Sequence, residues 1–192
     1  GASAADGITN DNTLELTIDA EAGSTVQVFD SGKLLGTATE SSEEAGSFTF
    51  TTEALVDGEH SFTAVATDAA GNVSGASPAS PVIVDTVAPA DPTVAAVTSG
   101  DDTPIIGGTA IVPNGTIVTV DVNGATYEVT VSGNAWTLDT ASAAPVNGTT
   151  LGQFVDGESY DVTASVSDIA GNIATVTATG AVTIDTDFPA TP

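Results

Sequence analysis

The sequence contains no cysteine, no methionine and no arginine, and its single lysine, Lys33, and single histidine, His60, face 26 Asp and Glu residues. Each absence excludes something. Without Cys or Met there are no disulfide staples and no thiolate or thioether metal sites, so reinforcement has to come from packing or from oxygen-ligated ions. A nucleic-acid binder neutralises phosphates with Lys and Arg, and a peripheral membrane protein uses the same residues to find anionic lipid, so one lysine supports neither role. No 18-residue apolar run is present, which excludes a transmembrane helix. No basic region followed by an apolar stretch marks a secretory leader, and Gly1 is expected to begin a piece cut from a longer chain.

What remains is strongly acidic, with a formal net charge of −25, yet 41% of the residues are hydrophobic. That hydrophobic share is enough for a folded chain rather than a disordered one. Self-repulsion among so many carboxylates destabilises a compact state unless cations compensate it, so a cation-rich medium is the first expectation.

The sequence repeats itself. Val56 to Val73 reads VDGEHSFTAVATDAAGNV and Val155 to Ile173 reads VDGESYDVTASVSDIAGNI, while VDTVAPADP from Val84 is matched by IDTDFPATP from Ile184. Asp68 and Asp168, Asn72 and Asn172, Asp85 and Asp185, and Pro89 and Pro189 all share one offset. Two copies of one module are therefore expected, residues 1–88 and 89–192, with 187–192 starting a further linker. A piece that starts after one linker position and ends on another fits a cut from a longer tandem array.

Within each copy the apolar period is two, the signature of strands with one buried and one wet face. Tyr160, Val162, Ala164 and Val166 alternate with polar residues, as do His60, Phe62, Ala64 and Ala66; Trp136 with Leu138, Phe48 with Phe50, and Val118, Val120 and Val122 add further strands. Gly, Asn and Asp punctuate these runs, and no segment carries helical periodicity. The expected fold class is all-β, two tandem immunoglobulin-like sandwiches of six or seven strands each in an elongated arrangement. Tyr160, near the start of a late strand, is placed for a tyrosine corner, whereas the first copy has His60 there.

The order of these motifs, Asp57-Gly58, then Ala66-Thr67-Asp68-Ala69-Ala70-Gly71-Asn72, then Val84-Asp85-Thr86-Val87-Ala88-Pro89, resembles the bacterial Ig-like repeats of giant secreted adhesins. These are the extender modules of biofilm-associated and repeats-in-toxin-type surface proteins. The second copy gives Asp156-Gly157, Ser167-Asp168-Ile169-Ala170-Gly171-Asn172 and Ile184-Asp185-Thr186-Asp187-Phe188-Pro189. Phe188 departs from the usual alanine, and the first copy lacks a counterpart of Trp136. The resemblance implies a cell-surface spacer that projects a distal ligand-binding region for adhesion and biofilm formation, with Ca²⁺ stiffening its junctions. It implies a monomer whose partners are neighbouring repeats.

The residues themselves can supply Ca²⁺ chemistry, since that ion takes six to eight oxygens from carboxylates, amides, backbone carbonyls and water. In a seven-stranded sandwich the loop between the last two strands lies at the end where the chain enters. A site joining Asp85, the carbonyl of Thr86 or Val87, Asp91, Asp168 and Asn172 is therefore expected. Asp185 and Asp187 would serve the next junction, and Asp68 and Asn72 a preceding one. A second cluster is expected from Asp101, Asp102 and Asp156, whose first-copy counterpart is Asp6, Asp11 and Asn12 with Asp57 and Glu59. For every one of these an ordinary Asp-Gly or Gly-Asn turn is the competing reading. Asp19, Asp121, Asp139, Asp161, Glu40, Glu43, Glu44 and Glu53 are expected to solvate outer faces, and His60 to be a packed strand residue. If a site has a dissociation constant on the order of 10⁻⁴ M, about 10 mM Ca²⁺ stabilises the fold by about 2.7 kcal/mol per site.

A glycan- or protein-binding module is the alternative reading, but the chain has one Trp, two Tyr and six Phe, and most fall at inward positions. An enzyme is not expected. Paired carboxylates can hydrolyse glycosides, but that chemistry needs a cleft and aromatic platforms, and the lone histidine has no nucleophile to activate.

Overall fold

The computed structural model describes residues 7–187, and all regular structure among them is β-strand. The chain contacts divide it into two compact units whose main boundary lies between Val87 and Ala88.

The first unit contains β1 (Ile8–Thr9), β2 (Glu15–Asp19), β3 (Thr25–Asp30), β4 (Lys33–Thr37), β5 (Thr39–Glu40), β6 (Ser47–Thr51), β7 (Gly58–Thr67) and β8 (Ser80–Val84). One sheet has the order β1-β8-β7-β3-β4 and the other β2-β6-β5. The second unit contains β9 (Val97–Ser99), β10 (Ile105–Thr109), β11 (Ile117–Val122), β12 (Ala125–Thr130), β13 (Ala135–Asp139), β14 (Ser159–Ser167) and β15 (Ile173–Ile184). Its sheets, β12-β11-β14-β15-β9 and β10-β13, repeat the order of the first unit without a counterpart of β5. In both units the first short strand pairs parallel with the last, Ile8 opposite Ile83 and Thr98 opposite Thr183.

Alternation decides which side chains meet between the sheets. Val26, Val28 and Ala64 from one sheet and Phe48 from the other form the first core, with Leu16, Ile18 and Phe50 against it. The second core is larger, built on Val118, Val120, Tyr127, Val162, Ala164, Val166, Trp136 and Leu138, and joined by Phe154 from a loop. His60 is buried in the first unit, as its inward register predicts.

The units differ along their last strand. β15 runs through twelve residues, whereas residues 74–79 of the first unit leave the ladder before β8. Proline lacks an N–H and cannot continue a ladder unbroken, and Pro78 falls in this stretch. Serine hydroxyls replace some of the lost backbone bonds: Ser74 and Ser77 accept the N–H groups of Ala66 and Ala64, each at 3.0 Å. In the second unit the edge of β10 is covered, because Thr93 and Ala95 donate to the carbonyls of Thr109 and Gly107. Gly108 makes this possible, since a Cβ there would lie 1.7 Å from the Thr93 carbonyl oxygen and 2.9 Å from the Trp136 ring.

Candidate functional site

The acidic motifs fall at opposite ends of each sandwich. The loop after β7 holds Asp68 and Asn72, and the loop after β14 holds Asp168 and Asn172; both close on themselves. Asp68 Oδ1 accepts the N–H groups of Ala70 at 2.9 Å and Asn72 at 2.8 Å, and its Oδ2 accepts the Asn72 side-chain amide at 2.7 Å. Asp168 receives the backbone and side-chain amides of Asn172 in the same way, each at 2.9 Å. Gly71 and Gly171 complete the turns at φ values of 88° and 91°, which residues with a Cβ rarely adopt. The Asn72 amides, side chain first, favour the ionised form of Asp68 and hold its pKa below the ordinary 3.8.

The opposite end gathers the remaining candidates other than Asp91, which precedes the segment that pairs with β10 at Thr109. Asp11 closes a turn on Thr13, accepting its N–H at 2.9 Å and its hydroxyl at 3.1 Å. Asp101 repeats this with Thr103 at 2.8 and 3.0 Å. The backbone bond, followed by the hydroxyl bond, lowers the pKa of both carboxyls. Asp85 donates its N–H to the Thr9 carbonyl, and its Oδ1 accepts from Val87 at 3.1 Å. Asp185 donates to the Ser99 carbonyl and accepts from Asp187 at 3.3 Å. Asp91, Asp102 and Asp187 are exposed, and Asp6 lies outside the described residues.

One link at this end was not anticipated. Asp57 Oδ1 accepts both the N–H and the hydroxyl of Thr86, at 3.1 and 2.8 Å. Asp156 accepts the Thr186 N–H at 2.6 Å, and Thr186, through its N–H first and its hydroxyl second, lowers the Asp156 pKa. Thr86, expected to offer a carbonyl to an ion, here uses its donors. The signal was present in the sequence, since the Asp-Gly and Asp-Thr motifs recur together in both copies.

Hard oxygen donors of this kind suit Ca²⁺ in chemistry. In grouping they do not form a cage: among the described residues no three His, Asp or Glu side chains gather at metal-binding distance within a group. Asp11, Asp57, Asp68, Asp85, Asp101, Asp156, Asp168 and Asp185 instead accept from donors of their own turns and strand ends.

Four residues expected on solvated faces are also engaged, Asp121, Asp139, Glu40 and Asp161. Asp121 accepts the Thr126 hydroxyl at 2.6 Å, and Asp139 accepts the Ala141 N–H at 3.0 Å and the Ser142 hydroxyl at 2.9 Å. Glu40 staples two loops, its oxygens accepting the N–H groups of Gly23 at 3.0 Å and Gly46 at 2.9 Å. That is a correction to its expected surface role, and its cause is the turn geometry that aims both amides at one side chain. Asp161 accepts the Gly180 N–H at 2.7 Å, beside the β-bulge between Tyr160 and Val162.

The corner positions also resolve. The Tyr160 hydroxyl accepts the Val155 N–H at 2.8 Å and donates to the Gln153 carbonyl at 3.5 Å, while its ring meets Phe154 edge-on at 4.8 Å. His60 does the equivalent in the first unit, with Nε2 2.9 Å from the Val56 carbonyl and Nδ1 2.7 Å from Asp30 Oδ2.

Among solved structures the chain is similar to the fibronectin(III)-like modules of Clostridium thermocellum CbhA, at 15% identity over 93% of this chain and 86% of that one, with a TM-score of 0.50. This likeness shows the fold. Weaker matches are a structure concerned with host cell surface retention of a 1.5-MDa bacterial ice-binding adhesin (23% identity, 95% of this chain, 62% of that chain, TM-score 0.45). Another is the Bacteroides ovatus protein SGBP-B in complex with a mixed-linkage heptasaccharide (16% identity, 93% and 42%, TM-score 0.29). No curated protein matches the chain. Residues 1–86 match the model of the bacterial Ig-like domain family, and the second unit repeats the strand order of the first.

Proposed function

We propose that this chain is a spacer segment of a bacterial surface adhesin, two Ig-like units that hold reach for a ligand-binding region elsewhere in the protein. The observation that carries the reading is the placement of the aromatic residues. Phe48, Phe62, Tyr127, Trp136 and Phe154 are buried, Phe29, Phe50 and Tyr160 are half-buried, and no aromatic among the described residues is exposed. Glycan and protein recognition rely on exposed aromatic platforms, so these side chains serve the cores. The family match of residues 1–86 supports a bacterial, cell-surface setting.

Ca²⁺ enters this proposal through charge. With 26 carboxylates against one lysine, the folded chain concentrates negative charge that divalent cations relieve. The donor chemistry favours Ca²⁺, while the described residues of the individual units form no ready cage, and no closed site is assigned among them.

The spacer reading is tested by small-angle scattering together with a glycan array. A maximum dimension near twice that of one unit, with no saturable glycan binding, is the expected result. A compact particle, or a saturable glycan ligand, would overturn it.

A further inference from the structure

His60 is the single histidine of the chain, and it is only 8% exposed. Its ring lies parallel to Phe62, with a 6.0 Å centroid separation and a 9° interplanar angle. Both ring nitrogens face groups that can only accept: Nδ1 the Asp30 carboxylate and Nε2 the Val56 carbonyl. A neutral imidazole has one N–H and one lone pair, so in this setting its lone pair would point at an oxygen, shielded from water. Only the doubly protonated ring satisfies both contacts.

We propose that His60 is a proton-controlled clasp, whose imidazolium ties β7 to β3 through Asp30 and to the segment before β7 through Val56, so that losing the proton weakens the first unit alone. The second unit has no counterpart to this switch, because Tyr160 makes the corresponding corner with a hydroxyl.

Among the described residues, Asp30 is the charged group bonded to the ring. From β3, Asp30 contacts the ring, and its Oδ1 also accepts the Ser61 N–H at 2.9 Å and the Ser31 hydroxyl at 3.1 Å. β8, paired with β7 in the same sheet, and β1 on its far side carry no titratable residue. Glu59 on β7, Glu53 and Asp57 before it, Glu15 and Asp19 on β2, and Lys33 opposite Asp30 are exposed. The Val56 carbonyl, and after it Asp30, raise the His60 pKa above its ordinary 6.5. Burial works against the Asp30 carboxylate, but the bonds from His60, Ser61 and Ser31 together outweigh it and lower its pKa.

A histidine whose folded pKa is raised contributes stability fully present below pH 6.5 and lost as pH rises through the folded value. Asp30, with its pKa lowered, contributes above its ordinary value and loses that contribution as pH falls through the folded one. The clasp therefore works between the lowered pKa of Asp30 and the raised pKa of His60. Of the group types in this chain, only histidine and the terminal amine have reference pKa values between pH 6 and 9.

The test uses the whole chain and two probes. Imidazole ¹⁵N shifts follow the single histidine directly, and Trp136, the only tryptophan, reports the second unit by fluorescence while backbone amides of β3 and β7 report the first. The expected result is a doubly protonated ring at pH 6.5 and a first-unit melting temperature that falls by about 4 °C or more from pH 6 to 9. The second-unit transition stays in place, and His60→Tyr removes the difference. A ring that is neutral at pH 6.5 overturns the proposal without recourse to any variant. So does a first unit whose melting ignores pH, or a pH dependence that survives in His60→Tyr.

Discussion

The Asp57 carboxylate accepts both donors of Thr86, N–H and hydroxyl, 29 residues further along the chain. It thereby ties the turn that opens β7 to the residue where β8 has ended. Strand ends leave backbone donors without ladder partners, and this carboxylate satisfies one of them. Hydrogen bonds to charged acceptors are stronger than neutral ones, so one exposed aspartate fixes where the last strand stops. Asp57→Ala is expected to cost about 1 kcal/mol and to lower the first-unit melting temperature by about 4–8 °C. Thr86→Val, which keeps the N–H bond and loses the hydroxyl, should cost less. Amide hydrogen exchange at Val84 to Val87 checks both, and Trp136 fluorescence should register neither change.

The Asp68 and Asp168 turns make a separate prediction about ions. Both oxygens of Asp68 already accept N–H groups from its own loop, so the turn should be formed in chelator. Amide shifts of Ala70 and Asn72 are expected to be the same with EDTA and with millimolar Ca²⁺. A large Ca²⁺-dependent shift there would show that an ion displaces the Asn72 amide. Because these bonds lower the Asp68 pKa, they contribute above its ordinary value of 3.8 and are lost as pH falls through the folded pKa. The Asn72 amide resonances should thus broaden or move only in strong acid, below the usual aspartate range.

Much of this architecture is legible in the sequence because alternation is a geometric statement. Val118, Val120 and Val122 had to face one side of a strand, and all three are buried. The 100-residue offset between Asp68 and Asp168 likewise foretold one strand order used twice. Side-chain partnerships across loops were less legible. Asp57 reads as a plain Asp-Gly turn former, and nothing local says that its acceptor faces Thr86; that depends on where two strands end in space. The same holds for Glu40, whose partners Gly23 and Gly46 lie in different loops. His60 was legible as inward but not as a hydrogen-bonding corner, since Val56 and Asp30 converge on it only after β3 and β7 have paired.

Tyr160 offers a direct measure of what such a corner contributes. Its hydroxyl meets the Val155 N–H and the Gln153 carbonyl, and Phe preserves the ring against Phe154 while removing both bonds. Tyr160→Phe should destabilise the second unit by about 1 kcal/mol, read as an earlier Trp136 fluorescence transition. The backbone groups left behind can find water at this partly exposed position, which keeps the cost at that level. The first unit should melt as before, because sites that share no partner contribute independently.

Bound Ca²⁺ and general screening separate at constant ionic strength. A net charge of −25 makes the folded chain sensitive to any cation, so stabilisation by Ca²⁺ alone would not identify a site. Screening depends on ionic strength, with a Debye length of about 8 Å at 0.15 M. Specific binding instead follows RT ln(1 + [L]/Kd) and continues to rise with Ca²⁺ when ionic strength is held constant. Melting the chain at fixed ionic strength, with Ca²⁺ exchanged for Na⁺, therefore discriminates the two. If Ca²⁺ is held by these oxygens, the melting temperature rises by several degrees between micromolar and about 10 mM Ca²⁺, and Mg²⁺ does less because it dehydrates reluctantly and demands octahedral geometry. If the curves for Ca²⁺ and Na⁺ coincide, the carboxylates act as a diffuse charge and their turns are held by hydrogen bonds alone.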